Sequence, residues 1–207
     1  MKVLLINGSP RANGCTFTAL SEIAKTLNAE NIETEIVQVG NKPLQDCIGC
    51  GGCAGKGKCV FDGDIVNELI DKARGADGFV FGTPVYYAHP SGRILSVMDR
   101  LFYAAGKSLS HKPAAVIASA RRGGTTATLD TICKHLTINQ MPVISSTYWN
   151  MVHGNTPQET MQDLEGMQTM RNLARNMAWI IKCIDAGKKA GVDKPNNETV
   201  IRTNFIR

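Results

Sequence analysis

The residues best suited to chemistry are four cysteines that fall within thirteen positions, namely Cys47, Cys50, Cys53 and Cys59. Two residues separate the first three from one another, five separate the last pair, and glycines lie between them. Thiolates spaced so closely can converge on one compact centre, and glycines permit the positive φ angles that such tight turns need. The pattern therefore predicts a segment that wraps around a bound group.

An iron–sulfur cluster is the first candidate for that group, because three evenly spaced cysteines followed at once by a fourth suit a cubane. Structural zinc is the second candidate, although zinc sites usually use two cysteine pairs separated by a dozen or more residues. The remaining alternative is that some or all of these thiols are free or redox-paired and hold no metal.

A second group of candidate residues follows the first apolar run of the chain, residues 2–7. A glycine-bearing turn leads from this run into a segment with helical periodicity, and it offers backbone N–H groups, hydroxyls and Arg11 to an anion. The turn lacks both the G-x-x-x-x-G-K-[ST] and the G-x-G-x-x-G patterns of nucleotide loops. It predicts a cradle for a monophosphate, and the alternative is an ordinary strand-to-helix turn capped by Ser or Thr.

Two further loops follow the third and fourth apolar runs and carry aromatic and basic side chains. The first holds adjacent Tyr86 and Tyr87 between two prolines, which suits the edge of a planar heterocycle such as a flavin. The second holds Arg121 and Arg122 beside two glycines, which let backbone amides approach a ring system closely. The alternatives are packing roles for the tyrosines and a solvated position for one of the arginines.

Strand-like apolar runs alternate with helical segments to about residue 187, which predicts βαβ units and a parallel sheet. The five predicted strands are residues 2–7, 33–39, 78–82, 114–119 and 141–149. Their near-continuous apolar runs are typical of strands buried on both faces. The predicted fold is an α/β doubly wound sheet in the order 2-1-3-4-5 with helices on both faces, and ligands are expected beyond the carboxyl ends of the strands.

Composition predicts one globular domain in the cytoplasm. The chain has 43% hydrophobic residues, and its apolar stretches are strand-sized, so no membrane span is indicated. Its net charge is +5, but the basic residues are scattered, so nucleic-acid binding is not indicated either. Seven cysteines, an odd number, argue for a reducing compartment without a disulfide framework. The expected layout is a domain at residues 1–190 with a cysteine-rich insertion at 46–60, and a tail at 191–207 that packs on another subunit or frays.

Taken together, the motifs GSPRANGCT, GTPVYY and SARRGG and the four-cysteine segment resemble the NADPH-dependent FMN reductase-like flavodoxin superfamily, specifically its iron–sulfur flavoprotein branch. The similarity spans roughly residues 1–190 and implies a flavodoxin-like fold that binds FMN noncovalently. The residues implied around the phosphate are Ser9, Arg11, Asn13, Gly14, Cys15 and Thr16. Those implied to flank the isoalloxazine ring are Pro84, Val85, Tyr86, Tyr87, Ser119, Arg121, Arg122, Gly123 and Gly124.

The same resemblance implies a [4Fe–4S] cluster on the four cysteines, because the branch uses C-x2-C-x2-C-x(4 to 7)-C and this chain has five residues in the last gap. It also implies a homodimer or homotetramer with sites near subunit interfaces. The chain departs from the pattern at Cys15, where many relatives carry Asn or Ser, so one side-chain donor to the phosphate is weakened.

The predicted function is that of an FMN-dependent oxidoreductase that takes electrons from NAD(P)H or a protein donor. The acceptor would be ferredoxin or a small molecule such as a quinone, a nitro compound, free flavin or oxygen. No catalytic side chain is predicted, because the cofactor supplies the chemistry. Two alternatives stay open: a flavodoxin-type electron carrier, against which the positive net charge argues, and a zinc-bearing binding module.

Overall fold

Six strands and six helices follow one another in the computed structural model, which describes residues 1–199, 201 and 203. The strands are β1 (Lys2–Asn7), β2 (Glu33–Gln38), β3 (Gly78–Tyr86), β4 (His89–Pro90), β5 (Ala114–Ala120) and β6 (Met151–His153). The helices are α1 (Cys15–Ala29), α2 (Ile65–Arg74), α3 (Gly92–Leu109), α4 (Thr125–Ile138), α5 (Pro157–Gln162) and α6 (Leu164–Lys189).

Five of the strands form a parallel sheet in the order β2-β1-β3-β5-β6. The inner strand β1 pairs on both sides, so that Leu5 lies opposite Ile36 on one side and Val80 on the other. The predicted α/β class is therefore confirmed. The strand order differs in detail because β4, a two-residue strand, pairs with β3 in the antiparallel sense.

The sheet separates two hydrophobic cores. Helices α2, α3 and α4 contribute to one core, and α1 and α6 contribute to the other. Side chains alternate across a strand, so Leu4 and Ile6 pack into the first core while Val3 and Leu5 pack into the second. Because both faces of β1 are buried, its sequence is a continuous apolar run.

The fifth strand was predicted at residues 141–149, and this position is wrong, because the strand that pairs with β5 is β6. In the predicted segment only Val143 forms a bridge, to Ala114. Its polar residues bond to α6 instead, since Ser146 Oγ donates to Thr169 O at 2.7 Å. Met141 and Ile144 are buried, one in each core, whereas Tyr148 and Trp149 are 52% and 59% exposed, so the segment is buried only in part.

The long helix α6 packs on the sheet through Met167, Met170 and Met177, which are buried. Among the described residues, no helix combines the length and the apolar character that a membrane crossing requires. The predicted tail falls in part on residues 200, 202 and 204–207, which lie outside the described residues. Its packing on another subunit therefore stays a prediction.

Candidate functional site

The loop that follows β1 starts with a tight backbone contact to β3. The Gly8 N–H donates to Gly82 O at 2.8 Å. A Cβ added at Gly8 would lie 2.8 Å from Ile94 Cβ and 2.9 Å from Gly82 O, which is too close for either neighbour. Only glycine therefore lets the chain leave β1 along this path.

Gln38, at the end of β2, holds this loop from the neighbouring strand. Its Oε1 accepts a hydrogen bond from Asn7 Nδ2 at 2.5 Å, and its Nε2 donates to Ser9 O at 2.7 Å. Asn7 Oδ1 in turn accepts from the Ser9 N–H at 3.1 Å. Sequence reasoning missed Gln38, although a polar residue at the carboxyl end of a strand next to β1 was a signal that could have indicated it.

Helix α1 begins directly after the loop, with Gly14 at its N-cap. No side chain caps its first turn, and that turn carries no acidic residue. Its backbone N–H groups therefore stay available to an anion, and the helix dipole favours negative charge at this end. Arg11, which is exposed, adds a positive side chain to the same loop.

A cavity of about 170 Å³ opens beyond the carboxyl ends of β1, β3 and β5. The predicted cofactor residues that line it are Ser9, Arg11, Gly14, Cys15, Thr16, Pro84, Val85, Tyr86, Ser119 and Arg121. The predicted residues that do not line it are Asn13, Tyr87, Arg122, Gly123 and Gly124. Ala120, Gly154 and Asn155 complete the lining and were not predicted. The topology thus brings four separate parts of the chain to one cavity.

Buried polar contacts join these loops across the cavity floor. Thr16 Oγ1 and Ser119 Oγ lie 2.8 Å apart, and both side chains are buried. Cys15 Sγ lies 3.6 Å from Gly154 O, which follows β6. The contribution of residues 154 and 155 was missed because the fifth strand was predicted too early in the chain. With that strand at Met151–His153, the rule that sites follow strand ends would have indicated them.

The hairpin between β3 and β4 is strained at its tip. Tyr87 and Ala88 both have positive φ, at 51° and 57°, and the Tyr87 side chain is fully exposed. A Cβ added at Gly124 would lie 2.5 Å from Ala88 Cα. Gly124, whose own φ is 94°, therefore makes room for the hairpin backbone and does not line the cavity. The hairpin holds Val85 and Tyr86 at the cavity edge.

The donor set of this cavity fits FMN. Uncapped backbone N–H groups, the hydroxyls of Ser9 and Thr16, and Arg11 are suited to a phosphate dianion. Pro84, Val85 and Tyr86 offer an apolar and aromatic edge to a planar ring. A ligand with an anionic end and a flat heterocyclic end would find partners for both.

The cysteine-rich segment lies between β2 and α2, where residues 39–64 form neither helix nor strand. Cys47, Cys50, Cys53 and Cys59 all line one cavity of about 120 Å³, and all four are free thiols in the described structure. The intervening glycines at 49, 51, 55 and 57 have positive φ angles between 64° and 72°. The backbone of the segment therefore turns in the way that its glycines predict.

The chemistry of this donor set suits a thiolate-bound metal group, because four cysteines line one cavity. Within the part of the chain that the structure describes, no group of three or more His, Cys, Asp or Glu side chains is placed to hold a metal ion. Sulfurs around a single zinc ion would lie about 3.8 Å apart, given a Zn–S bond of about 2.3 Å. In a cubane each cysteine binds a different iron atom, so the four cysteine sulfurs lie farther apart than they would around a single zinc ion.

A buried arginine lies against this cavity. Arg100, on α3, is 1% exposed, and its guanidinium contacts Cys59 Sγ and the Asp64 carboxylate. Burial by itself would raise the pKa of Asp64, but hydrogen bonds from Arg100 and from the Val66 N–H hold that pKa below its ordinary value. The pair is therefore ionised, and a positive group stands beside the sulfur of Cys59.

Comparisons with known proteins show the family of this chain. The family model of NADPH-dependent FMN reductases matches residues 1–156. An iron-sulfur flavoprotein of Methanocaldococcus jannaschii is 34% identical over 192 residues, which cover 89% of this chain and 99% of that protein.

Solved structures agree on the fold. The NAD(P)H:quinone oxidoreductase from Methanothermobacter marburgensis matches with a TM-score of 0.66 and 14% identity, over 86% of this chain and 96% of that chain. A flavodoxin from the domain Archaea matches with a TM-score of 0.61 and 14% identity, over 88% of this chain and 99% of that chain. Identities this low show a shared fold and nothing further.

Proposed function

Because the chain belongs to the NADPH-dependent FMN reductase family, we propose that it is an FMN-dependent oxidoreductase that takes electrons from NAD(P)H or a protein donor. The observation that carries this proposal is the cavity beyond β1, β3 and β5, where an anion-binding loop meets an aromatic edge. When bound, FMN supplies the electron-transfer chemistry, so the protein needs no side-chain nucleophile or general base.

The loop after β1 would hold the phosphate. Ser9 and Thr16 would donate their hydroxyls, the first turn of α1 would donate backbone N–H groups, and Arg11 would close over the anion from its exposed position. Gly14 and Cys15 line the same wall, and Asn13 stands outside it. Asn13 would therefore act on the phosphate only through the shape of the loop.

The carboxyl ends of β3 and β5 would hold the ring. Pro84, Val85 and Tyr86, the last residues of β3, would contact its edge, with Ser119 at the end of β5. Arg121 lines the cavity directly after β5, and its positive charge would stabilise the negative charge that develops on a reduced ring. Tyr87 is fully exposed at the hairpin tip and lies outside the cavity, as do Arg122 and Gly123. These outer residues are suited to contacts with an electron donor or acceptor.

The four cysteines would hold a [4Fe–4S] cluster, which supplies one-electron transfer when bound. The shared cavity and the relatives named iron-sulfur flavoprotein support this part of the proposal. The acceptor would be ferredoxin or a small molecule such as a quinone, a nitro compound, free flavin or oxygen. A homodimer or homotetramer and a cytoplasmic location stay predictions, and sedimentation of the holoprotein would test the first of them.

Anaerobic purification with flavin, iron and sulfide analysis tests the proposal. We expect one FMN and about four irons per chain, and reduction of the flavin by NADH or NADPH. Thr16→Val should weaken FMN binding, because it removes a buried hydroxyl that faces the cavity. Thr26→Val, on the same helix, removes only a hydrogen bond to Glu22 O and should not. A colourless chain that does not bind added FMN would overturn the proposal.

A further inference from the structure

We propose that Arg100 is a positioning residue that fixes the cysteine segment and raises the reduction potential of the cluster bound there. It would do so through a hydrogen bond from its Nε–H to the sulfur of Cys59. This inference rests on the proposed function, because it concerns the cluster assigned to the four cysteines.

The contacts of Arg100 reach both ends of the cysteine segment. Its Nε donates to Cys59 Sγ at 3.2 Å, and its two terminal nitrogens donate to Gln45 O at 3.0 Å and to Phe61 O at 2.8 Å. Gln45 precedes the first cysteine of the segment and Phe61 follows the last. One side chain on α3 therefore closes a segment that has no helix or strand of its own.

The burial of Arg100 is a second argument that its hydrogen bonds have a role. A charged side chain is costly to bury unless it is paired and hydrogen-bonded, and Arg100 is 1% exposed. Asp64 supplies the counter-charge from the N-cap of α2. An apolar side chain could fill the same space without desolvating a charge, so a guanidinium at this position is best explained by the donors that it presents.

The effect on the cluster would come mainly from the donated N–H. The negative charge of Asp64 offsets the positive charge of the guanidinium, so the pair changes the net charge near the sulfur little. A hydrogen bond to a ligand sulfur stabilises the reduced, more negative cluster, and this moves its potential upward. Lysine at this position would keep the charge but lose the Nε–H and the planar fork.

Redox titration of the reconstituted holoprotein, followed by EPR of the cluster and absorbance of the flavin, tests the inference. We expect R100K to shift the cluster potential to more negative values and to leave the FMN potential in place. The matched control is R93K on the same helix, where Arg93 donates to Lys42 O at 2.7 Å and, among the described residues, bonds to no sulfur. R93K should leave both potentials unchanged. A cluster potential in R100K equal to that of the wild type would overturn the inference.

A second variant covers the case in which R100K keeps its FMN but loses iron. D64N retains the Nε–H donor and removes the counter-charge, so its cluster potential should equal or exceed that of the wild type. A lower potential in D64N would overturn the role assigned to the N–H. Wild-type protein that binds FMN but no iron would overturn the cluster assignment and this inference with it, whereas an unchanged R100K potential overturns the inference alone.

Discussion

The two candidate sites of this chain are built in opposite ways. The FMN cavity lies at the ends of parallel strands, and its walls are fixed by backbone contacts such as the Gly8 N–H to Gly82 O hydrogen bond. The cysteine cavity lies on residues 39–64, which have no regular structure and are held by side chains from α2 and α3. Asn67 bonds to Cys59 and Phe61, and Arg100 bonds to both ends of the segment.

This difference determines which substitutions should damage each site. A site that takes its geometry from the sheet depends on close backbone approach, so added volume should harm it more than a lost side chain. A site on an irregular segment depends on individual side chains, so the loss of one ligand or one anchor should harm it most. The following predictions test that contrast through FMN binding, iron content and stability.

The largest effect is expected at Cys50, which is exposed and lines the cysteine cavity. Cys50→Ser removes one of the four thiolates, so iron should fall from about four per chain to three or fewer while FMN content stays unchanged. Iron and flavin analysis of the purified protein measures both. The control is Cys133→Ser on α4, outside both cavities, which should keep both cofactors. Full iron in Cys50→Ser would contradict the assignment of the cysteines.

The next effect is expected at Gly8, where an added Cβ would meet Ile94 and Gly82 at under 3 Å. Gly8→Ala should displace the phosphate loop, weaken FMN binding about tenfold or more, and lower the free energy of unfolding by about 1–3 kcal/mol. Flavin fluorescence quenching during titration of the apoprotein measures the affinity. Iron content per folded chain should stay the same, in contrast to Cys50→Ser.

Gly92 provides the matched control for Gly8. It opens α3, and a Cβ added there meets nothing within 4 Å. Gly92→Ala should therefore leave FMN affinity unchanged and stabilise the helix slightly. If Gly8→Ala and Gly92→Ala bound FMN equally well, close backbone approach would not be what shapes the cavity.

A smaller effect is expected at Gln38, the side chain that supports the phosphate loop from β2. Gln38→Leu leaves Asn7 Nδ2 and Ser9 O without their partner, so FMN affinity should fall about three- to tenfold. Thr34→Val on the same strand removes only a bond to Asn28 and serves as the control. Equal FMN affinity in the two variants would show that the loop holds its shape without Gln38.

Much of the first site could be predicted from the sequence because its residues lie at, or directly after, the carboxyl ends of buried strands. Apolar runs place the ends of β1, β3 and β5 within a few residues, and Ser9, Pro84 and Ser119 then fall at the cavity by topology alone. The fifth strand was placed wrongly because its local pattern is misleading. Residues 141–149 carry strand-forming side chains, but their polar members bond to α6, and that tertiary preference is not visible in local pattern.

The supports of the second site could not be predicted in this way. The cysteine spacing indicates a bound group, but nothing in the local sequence indicates that Arg100, some forty residues later, is buried beneath it. An arginine in an amphipathic helix ordinarily faces solvent. Its burial depends on Asp64 and on carbonyl groups of a segment without periodicity, and such partners are known only once the chain is folded.

An ion pair network also joins α2 to the edge of the sheet at β1 and β2. Lys72, on the helix that follows the cysteine segment, lies 2.7 Å from Glu35 on β2, and Lys2 on β1 lies at the same distance from the other carboxylate oxygen. Hydrogen bonds from Lys2 and then from Lys72 hold the pKa of Glu35 below its ordinary value of 4.5.

The smallest effect is therefore expected in Glu35→Gln, and it should depend on pH. A carboxyl whose pKa is lowered by folding stabilises the native state above its unfolded pKa, and this contribution is lost as the pH falls through the folded value. Glu35→Gln should lower the free energy of unfolding by less than about 1 kcal/mol near neutral pH, because the network is partly exposed and screened. Urea unfolding should show the difference from wild type shrinking as the pH falls below 4.5, with FMN and iron contents unchanged throughout. A difference that stayed constant with pH would contradict the ionised carboxylate of Glu35 as its source. A loss of iron in this variant would mean that the cysteine segment takes its geometry from the sheet edge as well as from its own side-chain anchors.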